Sequence, residues 1–140
     1  GQEMQGEATR SALEGARVGD AMVTEVDLLA PGATLGEAAQ ALLATSQQDF
    51  PVALGDEVLG LLSRDRLLQG LAREGRDAFV SGVMDRDLIR TTPEEPLEPY
   101  LMRADGLRRA PLLVFAPSGK LVGMVTQDNV MEYLLVRRIE

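Results

Sequence analysis

The chain has 140 residues, 45% hydrophobic and 26% charged, which suits one globular domain or two very small ones sharing a core. Aromatic residues make up only 4%, so that core must be aliphatic. With no Cys, no His and a net charge of −8, the sequence excludes disulfides, thiolate chemistry, Ser–His–Asp catalysis and imidazole or thiolate zinc sites, and it repels nucleic acid.

In chain order, residues 4–16 have a weak amphipathic period and predict a lead-in helix or linker over 1–17. Val18-Gly-Asp-Ala-Met22 follows, then a short strand over 25–29 and a turn at Pro31. Residues 34–46 predict a helix: Thr34-Leu-Gly-Glu37 is a capping box, and Leu35, Ala38, Ala39, Leu42 and Leu43 form an apolar stripe. A strand over 50–54, a turn at Gly55-Asp56 and a return strand over 57–62 make a hairpin. A second helix over 63–73 carries Leu67, Leu68 and Leu71 on one face, and Arg76-Asp77 joins it to the remainder. Beyond that joint stand Val80-Ser-Gly-Val-Met84, Thr91-Thr-Pro93 and a helical stretch with Leu97. Pro96 and Pro99 crowd the start of that helix, where proline is tolerated. Pro111-Leu112 opens a strand, Pro117-Ser-Gly119 turns it, and a last helix over 127–138 ends in Arg137-Arg138, favourable against the helix dipole.

This order is a repeat. Val18 to Met22 matches Val80 to Met84, Leu35 matches Leu97, and Pro51-Val52 matches Pro111-Leu112. The clearest match sets Val58-Leu-Gly-Leu-Leu-Ser-Arg-Asp-Arg-Leu-Leu68 against Leu121-Val-Gly-Met-Val-Thr-Gln-Asp-Asn-Val-Met131. The copies lie about 60 residues apart, a separation that marks a structural repeat. The expected class is α/β of the α+β kind: two β-α-β-β-α units, at 18–76 and 77–140.

The valine-to-methionine opening, the proline-opened strand and the closing Gly-apolar-apolar-Ser/Thr run resemble tandem CBS domains over nearly all of residues 18–138. A narrower resemblance sits in Ser46-Gln-Gln-Asp-Phe-Pro-Val52, Met124-Val-Thr-Gln-Asp-Asn-Val-Met-Glu-Tyr133 and the lead Ala8-Thr-Arg-Ser-Ala-Leu-Glu-Gly15. These segments are similar to the C-terminal CBS pair of site-2-type membrane zinc metalloproteases. That resemblance implies a parent with transmembrane protease helices upstream, and none of that machinery in this chain.

The CBS resemblance implies a non-catalytic regulatory module. An adenosine-containing ligand (AMP, ADP, ATP or S-adenosylmethionine) would sit in a cleft between the units and alter an attached effector, with no cofactor required. In binding members the hydroxyl after the last strand and an acid three residues on contact the ligand. Here Gly60 and Ser63 fit in the first repeat, but Arg66 holds the acid position and Asp65 stands one place early, about 100° round the helix. In the second repeat Gly123 and Thr126 fit and Asn129 takes the acid position, able to bond a diol without charge. Phosphates need cations, and Arg109 with Ala110 precedes Pro111 in the most basic stretch, which also holds Arg103 and Arg108. The first repeat reads Gln48-Asp49-Phe50 before its own proline, where Phe50 is a candidate for stacking on a purine. Each candidate has a structural alternative: Ser63 and Thr126 are good N-caps, and Gly60 and Gly123 suit close packing in a strand. Met22 and Met84 read as core residues.

Two other functions fit less closely. A ligand-free module would dimerise through its helices, a homodimer being the family's habit. A carboxylate enzyme would centre on Glu94-Glu95, which read as a loop and helix start. Neither a Walker loop, a GxGxxG nor an EF-hand spacing is present, so no metal is expected. The longest uncharged apolar run, residues 110–117, is too short to span a bilayer, and no signal-peptide pattern appears; the expected location is cytoplasmic, with no membrane contact by this chain.

Overall fold

The computed structural model describes residues 13–139, without the side chains of the last two. The described residues divide into two compact units, one of residues 25–88 and a terminal unit that joins the stretch ending at Thr24 to the stretch beginning at Ile89. The lead-in helix expected over 4–16 lies outside the described residues up to position 12, as does most of the Ala8–Gly15 motif. From Leu13 the chain turns, Ala16 N–H donating to the Leu13 carbonyl at 3.0 Å, and Leu13 and Ala16 are buried.

In the 25–88 unit, helix α2 (Leu35–Ala44) precedes strands β1 (Asp49–Leu54) and β2 (Glu57–Ser63), and helix α3 (Arg64–Glu74) follows. Thr34 forms the N-cap half of the expected capping box, its Oγ1 accepting from Glu37 N–H at 3.1 Å, while Glu37 Oε1 accepts from the Thr34 hydroxyl at 3.2 Å. Leu35 and Ala38 are buried, but Leu43 is 83% exposed, so the stripe is narrower than its sequence suggests. Gly55, at φ 61, supplies the left-handed turn of the antiparallel β1–β2 hairpin. The strand expected over 25–29 reduces to one residue: Leu29 alone bonds to β1, in parallel, through Pro51 O and Ala53 N–H. On the other edge Asp85 exchanges two 2.8 Å hydrogen bonds with Leu61 of β2. Phe50, Val52, Leu62, Leu67 and Val80 fill the core between this sheet and its helices.

The terminal unit repeats the scheme. It contains helix α1 (Val18–Ala21), strand β3 (Ile89–Thr91), helix α4 (Glu98–Leu101), strands β4 (Leu112–Phe115) and β5 (Leu121–Val125), and helix α5 (Gln127–Ile139). β3 pairs in parallel with β4, β4 antiparallel with β5, and Val23 bridges Met124 on the far edge. Val18, Leu97, Leu112, Val114 and Val125 make its core. α4 ends after four residues, with Pro99 in its first turn; the chain then turns at Gly106 (φ 54), which returns Leu107 to the core.

The hydrogen-bond ladder corrects one alignment. Val52 stands opposite Gly60, and Val114 stands opposite Gly123. The structural partner of Pro51 is therefore Leu113, two residues beyond Pro111, and Asp49 corresponds to Pro111. The two prolines share a neighbourhood in sequence but not a rung. Packing units also cut the chain elsewhere than its sequence copies. The opener Val80–Met84 belongs to the second copy, yet it packs with the hairpin of the first, and Val18–Met22 packs with that of the second.

Candidate functional site

Each unit brings its glycine, hydroxyl and helix start together at the end of the hairpin. Ser63 caps α3, its Oγ accepting from Arg66 N–H at 3.1 Å. Arg66 turns away from the cap: its Nε donates to the Val83 carbonyl at 2.8 Å, and Nη1 lies 3.8 Å from Asp85 Oδ2. Asp65 is exposed, 3.9 Å from the Arg64 guanidinium. Asp49 pairs with Ser63 across the hairpin. Burial pushes the Asp49 carboxyl above its ordinary range, and the nearby Asp65 charge pushes the same way. This hydroxyl thus stands beside a carboxylate that already resists ionisation.

Thr126 caps α5 in a reciprocal box. Its Oγ1 accepts from Asn129 N–H at 3.2 Å, and Asn129 Oδ1 accepts from Thr126 N–H at 2.9 Å. Asn129 therefore occupies the acid position as a capping partner, leaving its amide group to act as donor. The β4–β5 ladder starts at Leu112, and its register carried one residue further sets the buried, uncharged Pro111 at the place of Asp49, with Arg108, Arg109 and Ala110 leading into it. Arg108 and Arg109 are exposed and Ala110 is half-buried.

Both glycines are filled positions. A Cβ on Gly60 would stand 2.6 Å from Met84 Sδ and 3.0 Å from the Asp85 carbonyl oxygen. On Gly123 it would stand 2.8 Å from both Met22 Sδ and the Val23 carbonyl oxygen. Each opener thus lays its methionine and edge residue over the glycine of the hairpin it joins. Phe50 is 1% exposed within the core, so its ring offers no face for stacking. Gln47, which sequence reasoning passed over, ties the Asp27 segment to the start of β1: its side chain accepts from Asp27 N–H at 2.9 Å and donates to the Asp27 and Asp49 carbonyls at 2.8 and 2.9 Å. A long-range bond of this kind leaves no local sequence signal.

The Glu94-Glu95 pair does not converge. Glu94 is exposed, whereas Glu95 Oε2 accepts from Thr91 Oγ1 at 2.9 Å and from the Tyr100 hydroxyl. Those bonds hold the Glu95 carboxyl below its usual range, while burial and this carboxylate push the Tyr100 phenol up. The network fastens α4 to β3. Among the described residues no cluster of three or more Asp or Glu could hold a metal ion, and no helix is long and apolar enough to cross a membrane.

Comparison with known proteins agrees with this architecture. Residues 18–73 match the model of the CBS domain. A homoserine O-acetyltransferase of Methanohalophilus mahii is 25% identical over 81% of the chain. The chain spans only 23% of that protein and 41% of a second curated relative. Among solved structures, a CBS-pair protein of Arabidopsis thaliana in complex with AMP is similar at a TM-score of 0.72 and 22% identity, covering 89% of this chain and 99% of that one. A CBS domain pair in complex with 5′-methylthioadenosine and S-adenosyl-L-methionine reaches a TM-score of 0.74 at 16% identity, covering 89% and 98%. The chain thus carries a CBS domain match in its first half and has the mixed α+β fold of the CBS-pair structures.

Proposed function

We propose that the chain is a non-catalytic regulatory module that binds an adenosine-containing ligand in its terminal unit, at Thr126, Asn129 and Arg109. The observation that carries the reading is the contrast between the two hairpin ends. Asp49 opposes Ser63 with its charge already penalised by burial, and Arg66 is committed to Val83 and Asp85. The matching place beside Thr126 is the neutral Pro111, with Arg109 two residues upstream. A phosphate is repelled at the first and attracted at the second. The ligands named in two fold neighbours, AMP and S-adenosyl-L-methionine, share the adenosine that such a site would read. Ser63 caps a helix and Phe50 fills the core, Asp65 stands exposed beside Arg64, and Gly123 serves by letting Met22 and the hairpin close.

Binding would bias an attached effector, and no cofactor is needed for that. The segments around Ser46 and Met124 suggest a site-2-type membrane zinc metalloprotease as the parent, with this module on its cytoplasmic side. A thermal-shift panel of AMP, ADP, ATP and S-adenosylmethionine tests the reading. Ligand at about a hundred times its Kd stabilises by about 2.7 kcal/mol, which is roughly 5 °C or more in Tm for a chain this size. No shift with any of the four would defeat it.

A second reading has one observation in its favour. Met131, Leu135 and Val136 on α5 are 55–56% exposed, an apolar face suited to a homodimer of this chain. Light scattering at high micromolar concentration decides it: a dimer supports that reading, and a monomer removes it.

A further inference from the structure

The terminal unit holds a cavity of about 370 Å³ between the turns after α4 and one side of α5. Its α5 wall is Gln127, Val130, Met131 and Leu134, spaced as one helical stripe. Asn129 lies two residues from Gln127, about 200° round the helix, so this wall faces away from the nucleotide position argued above. We propose that the cavity is a separate binding site for a small amphipathic anion: a molecule with an apolar body and one carboxylate, sulfonate or phosphate end.

The floor of the cavity is apolar. Leu101, Leu107, Val130 and Leu134 line the cavity, and Leu107 and Val130 belong to the buried core behind it. The volume falls at the small end of the roughly 300–1,000 Å³ typical of sites for small molecules. The charged half rests on Arg103 and Arg108, both exposed and both lining the same space. Asp105 is the one acid among the lining residues, so the site has an excess of positive charge in a chain whose net charge is −8. Arg103 is held by the ring of Tyr100, 4.8 Å from guanidinium carbon to centroid. The turn that carries Arg108 is fixed by its own N–H donating to the Asp105 carbonyl at 3.1 Å and by Gly106 N–H donating to Arg103 O at 2.9 Å. Two guanidinia on an ordered turn above an apolar floor read one head group and one tail.

The experiment uses the whole chain with 13C-labelled methionine methyls and sodium octanoate as probe. Met102 and Met131 line the cavity, whereas Met22, Met84 and Met124 do not and serve as internal controls. Saturable shifts at Met102 and Met131, with Met22, Met84 and Met124 unmoved, are expected. Weakening of octanoate by at least about tenfold is expected in Arg103→Gln, Arg108→Gln, because both charge-assisted contacts are lost. The control methyls report that the variant remains folded. The proposal is overturned if the cavity methyls do not saturate, if all methyls move together, if neutral 1-octanol binds as well as octanoate, or if the folded double variant binds unchanged. AMP added in place of octanoate distinguishes the two sites: failure of the nucleotide reading leaves the octanoate result untouched.

Discussion

The two glycines that face methionines show how little room the hairpin ends contain. Gly60 and Gly123 each admit a thioether and a backbone carbonyl where a Cβ would stand. Gly123→Ala meets the Val23 carbonyl at 2.8 Å, and backbone yields less readily than a methionine tip. It should cost about 1–3 kcal/mol in urea unfolding, and Gly60→Ala should cost less. Asp49 makes a pH-dependent prediction. Its pKa is raised in the fold, so the charged form destabilises the native state, and the penalty is present above the folded pKa and relieved as pH falls through it. Asp49→Asn should therefore raise Tm at pH 7, with the gain fading toward about pH 4 as the wild-type carboxyl protonates. A variant less stable than wild type at neutral pH would refute the burial argument. Glu95 has the opposite sign: its lowered pKa contributes stability at neutral pH that is lost in acid, so Glu95→Gln should flatten the acid limb of the stability curve.

At the scale of elements, caps were legible in the sequence because they are local. Thr34, Ser63 and Thr126 each stand three residues before the group they bond, and all three bonds form. Thr126→Ala should cost about 1 kcal/mol of stability whether or not a ligand binds. Asn129→Ala tests the reciprocal arm, and a double-mutant cycle on the pair should reveal coupling between them. Strand register was not legible. Pro51 and Pro111 resemble each other in sequence, but the ladder pairs Val52 and Val114 with the two glycines and offsets the prolines by two. Pairing is decided by residues from distant parts of the chain, so neither composition nor proline position reports it. The 25–29 strand failed for a related reason: only Leu29 finds a ladder partner there. The short α4 reflects Pro99 at its start and the left-handed turn at Gly106, both visible in the sequence but not their combined effect on length.

At the scale of the molecule, the compact units of the structure are bounded differently from the copies seen in sequence. Each opener completes the other copy's hairpin, so residues 18–76 lack Val80, Met84 and Asp85, while residues 25–88 contain them. A 25–88 fragment should show a cooperative urea transition and an 18–76 fragment should not, although a body this small is marginal in either case. The sequence carried the repeat, the α+β class and the hydroxyl and glycine positions. It did not carry the exchange of openers or the core burial of Phe50, because both depend on which segments meet. The proposed adenosine ligand enters at the Thr126 end rather than the Ser63 end. Calorimetric titration with AMP tests it most directly, comparing wild type, Arg109→Ala and Ser63→Ala. One AMP per chain is expected, weakened by about tenfold or more in Arg109→Ala and unchanged in Ser63→Ala. No binding by the wild-type chain, or loss in Ser63→Ala with Arg109→Ala unaffected, would contradict it.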